Sequence, residues 1–182
     1  MEARILFAIH GHAGPMLDVL FALSHTLGSR AFLTMLVLTA ASVHGLFGQR
    51  REAIAWIAVG VATVVAIESI KDLVARPRPE LWPRLVIQGG SSFPSGHAVA
   101  ASAFYPLLAW VVTRHRPRLF PAALSLAAAL VLLVSLGRLY LGLHWPTDVL
   151  AGWAIGATES TAAVAWLKRR PGHFPRDERV HA

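Results

Sequence analysis

The sequence predicts an all-α, integral-membrane helical bundle of about five transmembrane helices, preceded by a short N-terminal helix that is interfacial or only partly inserted. Two observations carry this. Apolar residues make up 55% of the 182-residue chain and charged residues 15%, whereas a soluble domain is about one quarter charged. The apolar residues are also segregated into five runs, 31–47, 53–74, 98–112, 119–136 and 149–167. A helix rising about 1.5 Å per residue needs roughly 17–25 residues to cross about 30 Å of hydrocarbon. Four of the runs meet that length, and the third meets it if its helix opens near Gly96.

Ahead of the runs, residues 16–27 are apolar but broken by Asp18, Ser24 and His25, and they follow Gly14-Pro15. They predict the short interfacial helix. No basic segment running into an unbroken apolar core is seen near Met1, so no signal peptide is expected and the first spanning helix is expected to direct insertion. The membrane domain is expected to span 1–168. The charged stretch KRRPGHFPRDERVHA begins at Lys168, and residues 169–182 are expected to be a short, disordered cytoplasmic tail.

The chain has no cysteine, which excludes disulfides and thiolate ligands or nucleophiles. Its formal charge of +7 is dispersed between apolar runs and forms no continuous stripe, so a membrane-orientation signal is expected and a nucleic-acid partner is not. Five spans put the linkers 48–52 and 114–118 and the tail on one side. That side holds ten of the 17 Lys and Arg residues. Of the other seven, Lys71, Arg78 and Arg138 belong to chemical motifs, leaving ten against four. The expected location is therefore the cell (inner) membrane, multi-pass, with a cytoplasmic C-terminus and a site facing the periplasm or exterior. Trp82 and Trp145 near the outer helix ends, with Trp110 and Trp166 near the inner ends, suit an aromatic belt. The oligomeric state is left open.

Three short stretches carry the chemistry: 71–79 (KDLVARPRP), 94–97 (PSGH) and 138–148 (RLYLGLHWPTD). Helix counting puts Lys71 and Arg78 at the outer end of the second span and His97 at the outer start of the third. Arg138, His144 and Asp148 bracket the turn between the fourth and fifth. All meet at one membrane face. Three cations suit the negative charge that spreads over phosphoryl oxygens during transfer. Arginine grips two oxygens where lysine acts as a point charge. The Ser95 hydroxyl and the Gly96 N–H, at the start of a helix, can complete a phosphate cradle.

With these motifs in this order, the chain resembles the type 2 phosphatidic acid phosphatase superfamily over residues 17–166, in the branch of undecaprenyl-diphosphate phosphatases and phosphatidylglycerophosphatases. The resemblance implies that His144 attacks phosphorus to form a phosphohistidine and that His97 is the general acid for the leaving oxygen. Asp148, four residues after His144, would hold its other ring nitrogen. Lys71, Arg78, Ser95, Gly96 and Arg138 would bind phosphate. The expected activity is metal-independent and cofactor-free hydrolysis of a lipid phosphate or diphosphate: phosphatidic acid, phosphatidylglycerophosphate, diacylglycerol pyrophosphate or a polyprenyl diphosphate. A lipid phosphotransferase and a noncatalytic lipid-binding or transport protein are the rivals. A vanadate-dependent haloperoxidase shares the cradle but does not suit a membrane-spanning composition.

The motifs leave other residues with plainer expectations. His10, His12, His25, His44, His115, His173 and His181 have no motif context and are expected in loops or at the interface, with no metal site among them. Asp72 and Arg76 are expected to pair at i, i+4, and Glu68 to tune or hold Lys71. His144 is expected on a largely solvent-facing turn. Gly137 replaces the serine common before the arginine in the resembling family, and Gly137→Ser is expected to be tolerated. Glu159 falls near mid-bilayer on the last run, so it should face the bundle and be hydrogen-bonded, with Ser160 or Thr161 nearby.

Overall fold

The computed structural model describes residues 1–83, 85–86 and 88–169. The expected tail, except for Arg169, lies outside the described residues. Among those described, the chain forms seven α-helices and no strand: α1 (Glu2–His10), α2 (Pro15–Leu27), α3 (Arg30–Leu46), α4 (Arg50–Val74), α5 (Gly96–Thr113), α6 (Phe120–Tyr140) and α7 (Pro146–Lys168). A 3-10 turn, Pro117–Leu119, leads into α6. Every expected span is a helix, and α5 opens at Gly96, which lengthens the shortest run to 18 residues.

Three helical stretches are long and apolar enough to cross a membrane: α4, α5, and the 3-10 turn with α6. The two other expected spans fall short for identifiable reasons. Helix α3 has 17 residues, and α7 carries Asp148, Glu159 and several hydroxyl side chains. The N-terminal region also differs from expectation. It is two helices, α1 and α2, bent by 119° and together apolar enough for a broken span or a re-entrant loop. The bend falls at Gly11 to Gly14, where Pro15 fits the first turn of a new helix and Gly14 is extended.

Helix α5 is the axis. Of its apolar stretch 72% is buried, against 28% for α4 and 17% for the α6 stretch, so α4 and α6 turn Val61, Val65, Leu126 and Leu132 outward. The most extensive contact is between α5 and α7. It is made by small residues: the α7 glycines Gly152 and Gly156 lie against Ala98, Val99, Ser102 and Ala103. A Cβ on Gly152 would stand 2.8 Å from the Ala98 methyl and 3.0 Å from the Ser95 carbonyl. Glycines four apart let two helix backbones approach as larger residues cannot. Helix α4 joins α7 through Thr63, whose hydroxyl donates to Glu159 at 2.6 Å. Glu159 thus faces the bundle as expected, but its partner comes from another helix and not from Ser160 or Thr161.

The two ends of the bundle have different characters. At one end Arg51 donates to the Trp166 and Arg169 carbonyls at 2.7 and 2.6 Å and lies 4.8 Å over the Trp166 ring, while Arg114 pairs with Glu52. The positive linkers therefore share one end. The three chemical motifs gather at the other.

Candidate active site

Local backbone features aim the motifs at one another. Helix α4 ends at Ala75, in the left-handed region with φ 46°, and the chain leaves as Arg76-Pro77-Arg78-Pro79. Its prolines cannot continue a helix. Lys71 stays on the last turn of α4, and Arg78 is carried across the helix ends. The Ser95 N–H, at the cap of α5, donates to the Asp148 carbonyl at 3.0 Å, tying the second motif to the third. Gly142, with φ 63°, reverses the chain after α6 so that the Leu143 N–H reaches the Arg138 carbonyl at 3.0 Å.

His144 is 0% exposed, which corrects the expectation of a solvent-facing residue. The reversal folds its ring inward under the 88–95 loop. Its Nδ1 lies 2.7 Å from the Ser92 carbonyl and 3.5 Å from Asp148 Oδ2. Both neighbours only accept, so Nδ1 carries the proton and Nε2 carries the lone pair. Arg78 Nη1, a pure donor 3.2 Å from Nε2, agrees with that tautomer. Burial, opposed by Asp148 and assisted by Arg78, pushes the imidazole down to about 4, so at pH 7 the ring is neutral with a lone pair available. The nearest acceptor to the His144 ring is the Ser92 carbonyl, and Asp148 supplies its charge from slightly farther away. Asp148 is itself fully buried and accepts the Trp145 N–H at 2.8 Å.

Arg78 does more than sequence reasoning assigned to it. Besides His144 it donates to the carbonyls of Leu143 at 2.8 Å, Gly90 at 3.0 Å, and Gly89 and Ser91 at 3.1 Å. It thereby pins the 89–91 loop over the catalytic turn while keeping its charge beside Nε2.

The remaining site groups show a distinct pattern. Ser95 Oγ, His97 Nε2, and Arg138 Nε and Nη2 are buried and have no hydrogen-bond partner among the described residues. Buried polar groups are nearly always satisfied, so such orphans call for a ligand or water. They belong to residues that converge: Ser95 caps the helix on which His97 makes the first turn, and the bonds between backbone carbonyls and N–H groups above join that cap to the third motif. Here the structure adds a residue that lies outside all three motifs. His25 of α2 accepts from Arg138 Nη1 at 2.5 Å and stacks on His97 with ring centroids 4.7 Å apart. Gly28, one turn later, makes the space; a Cβ there would fall 2.7 Å from the His97 ring. No sequence motif surrounds His25, because the relation is made by the docking of α2 on α6.

Three other expectations need correction. Asp72 is exposed and Arg76 does not pair with it: Arg76 Nη1 donates to Asp148 Oδ1 at 2.7 Å. The left-handed Ala75 turns Arg76 off the helix, so the i, i+4 geometry never arises. Glu68 pairs with Arg30 at 2.8 Å, since α3 begins beside it, so it does not hold Lys71 by a direct bond, although its charge still acts on that lysine. Gly137 packs against α2, where an added Cβ would stand 2.5 Å from Ser24 Oγ and 3.3 Å from the Phe21 ring. Gly137→Ser therefore crowds the contact that holds α2 in place and is not a neutral change.

From Lys71, Gly96 and His97 a cavity of about 470 Å³ runs between α3, α4 and α5, lined farther down by Val37, Val61 and Phe104. Lys71 and Ile57, both on its wall, are fourteen residues apart on α4, or about 21 Å along the axis at 1.5 Å per residue. Lys71 and His97 at its polar end and the apolar side chains beyond them thus line one continuous cavity.

Residues 52–171 match the PAP2 superfamily. The chain is 31% identical over 144 residues to phosphatidylglycerophosphatase B of Bacillus subtilis, covering 76% of this chain and 69% of that protein. It is 34% identical over 120 residues to decaprenylphosphoryl-5-phosphoribose phosphatase of Mycolicibacterium smegmatis, covering 62% of this chain and 61% of that relative's length. Its fold matches the crystal structure of a transmembrane PAP2 type phosphatidylglycerolphosphate phosphatase from Bacillus subtilis with a TM-score of 0.85 at 25% identity, over 94% of this chain and 87% of that one. With motifs, site and fold in agreement, the chain belongs to the PAP2 superfamily, on its lipid phosphatase branch.

Proposed function

We propose that the protein hydrolyses phosphate from a lipid phosphate or diphosphate without a metal, through a phosphohistidine on His144. The observation that carries this reading is the set of buried groups on Ser95, His97 and Arg138 without a partner among the described residues, of which His97 also lines an apolar groove. The phosphoryl group sits between these donors, Lys71 and the first N–H groups of α5, with phosphorus facing His144 Nε2. Nε2 attacks, the P–O bond to the lipid breaks, and His97 gives its proton to the departing oxygen. Water then cleaves the P–N bond, releasing inorganic phosphate. His144 bears positive charge in the intermediate, and Asp148 offsets it.

The tail of the substrate lies in the groove. The names of the two relatives join very different lipids to the same phosphatase chemistry, which favours a substrate class defined by a phosphate on a long apolar tail. Phosphatidic acid, phosphatidylglycerophosphate and polyprenyl diphosphates all fit it. The test compares kcat/KM for a panel of these lipids with a tailless ester such as glycerol 3-phosphate. At least a hundredfold preference for the lipids is expected, and equal values would overturn the reading.

Arg138→Lys is expected to lower kcat/KM about ten- to hundredfold. Lysine replaces a fork with one point charge, and a charge-assisted hydrogen bond is worth about 1.5–3 kcal/mol. Phosphate-release kinetics in detergent decide this, and kinetics equal to wild type would remove Arg138 from the phosphate site.

We also read five crossings, α3 to α7, with the site outside and the Arg51 and Arg114 end in the cytoplasm, from the ten-against-four charge count. The cysteine-free background makes this directly testable. An impermeant thiol reagent on intact cells is expected to label Gly89→Cys, at an exposed position with no neighbour in the way, and to spare Arg116→Cys. The reverse pattern would invert the topology.

A further inference from the structure

Asp148 faces His144 on one side, and on the other it faces Arg76, a residue inside the first motif to which the phosphate chemistry assigns no role. Arg76 Nη1 lies 2.7 Å from Asp148 Oδ1 and donates equally to Thr147 Oγ1 at 2.7 Å. Its Nη2 lies 2.5 Å from Glu2 Oε2 on α1, and its guanidinium lies 5.3 Å from the Trp145 ring centroid. The other Glu2 oxygen takes the Thr147 hydroxyl at 2.7 Å and the Thr147 N–H at 3.1 Å. That N–H is one of the first-turn donors of α7 that no helix carbonyl can satisfy. Glu2 therefore holds Arg76 and the start of α7 together, while Arg76 holds Asp148.

The arrangement is specific. Asp148 has no exposed surface, and a buried carboxylate stays ionised only if it is paired and hydrogen-bonded. Its Oδ2 is taken by the Trp145 N–H. Its Oδ1 faces Arg76, whose cation offsets the charge and sets the plane of the carboxyl group. That plane decides how Oδ2 presents itself to His144 Nδ1 at 3.5 Å.

Resting on the functional reading above, we infer that Arg76 is a positioning residue for the His144 nucleophile, acting through Asp148, and that Glu2 brings α1 into the catalytic support by holding Arg76. Arg76 acts on the chemical step, not on lipid capture. The docked α1 is thus a working part of the active site, joined to it by the chain Glu2, Arg76, Asp148 and His144.

The test uses the full-length protein in detergent with Arg76→Ala, Arg76→Lys and Glu2→Gln. Steady-state kinetics are read with one long-chain lipid phosphate. The ring ¹⁵N signals of His144 are read in histidine-labelled protein and assigned with His144→Gln. Arg76→Ala is expected to lower kcat about ten- to hundredfold, the scale of a small misplacement at a reacting centre, with KM changed less than threefold. It should also shift the His144 ring signals. Arg76→Lys is expected to recover most of both losses, and Glu2→Gln to fall between Arg76→Lys and Arg76→Ala. A rise in KM with kcat kept would make Arg76 a substrate-binding group and overturn the inference. So would ring signals in Arg76→Ala identical to wild type. If the wild-type protein released no phosphate from the lipid, the functional reading would fail, and the ring signals, which need no turnover, would still decide the positioning role.

Discussion

His144→Ala is expected to abolish phosphate release, with kcat falling by more than about 10⁴-fold, the scale seen when a nucleophile is removed from a unit that acts together. The residual rate comes from the cationic cradle alone. Because His144 is buried and its Nδ1 bonds the Ser92 carbonyl at 2.7 Å, the alanine variant should also melt somewhat below wild type. His144→Gln, which retains a polar side chain of similar reach, separates chemistry from packing: it should fold more nearly as wild type and be as inactive as the alanine variant. Wild-type protein given labelled lipid phosphate and quenched in alkali, where a P–N bond survives, should retain label that His144→Gln does not. EDTA should leave the wild-type rate unchanged, since Lys71, Arg78 and Arg138 supply the positive charge that a metal would otherwise bring. Turnover in His144→Gln, or loss with EDTA that a divalent metal restores, would refute the mechanism.

Gly156→Ala is expected to cost about a hundredfold in activity, although Gly156 lies two helical turns from Asp148. An added Cβ there collides with the Val99 carbonyl and the Ser102 hydroxyl and stands 2.8 Å from the Ala103 backbone nitrogen. Backbone atoms cannot turn aside as a flexible side chain can. Helices α5 and α7 must therefore separate or slide, and forced overpacking of this kind costs about 1–3 kcal/mol. The functional cost is of similar size but falls on catalysis. His97 rides on α5 and Asp148 on α7, and a shift of about 1 Å between reacting groups can cost about a hundredfold. Phosphate release and detergent melting should fall together. Gly45→Ala on α3, where an added Cβ meets nothing within 4 Å, is the control and should behave as wild type. Wild-type kinetics in Gly156→Ala would mean that α5 and α7 are not packed as closely as described.

The contrast between these two residues separates what was legible in the sequence from what was not. His144, His97, Asp148 and the cations stand in short motifs whose spacing follows helix ends, and chemistry restricts which residue types can serve. The apolar runs likewise became helices, because backbone hydrogen bonding in hydrocarbon leaves a chain little alternative. Sequence reasoning also placed Glu159 toward the bundle, from the cost of exposing a carboxylate to lipid.

Other relations are properties of distance between segments. Arg76 reaches Asp148 across 72 positions, and His25 reaches Arg138 across 113. Nothing near either residue signals its partner. Local rules offered Asp72 to Arg76, and one left-handed residue, Ala75, removed that choice. Gly137, read alone, was a missing hydroxyl, whereas in the bundle it is the space in which α2 lies. The sequence by itself determined the helices, the membrane setting and the reactive groups, because these depend on residue type and on neighbours along the chain. Only the tertiary structure decided which groups surround His144, which glycines lie at close helix contacts and where the apolar cavity runs. Those depend on helix-to-helix approach, set jointly by side chains from several elements at once.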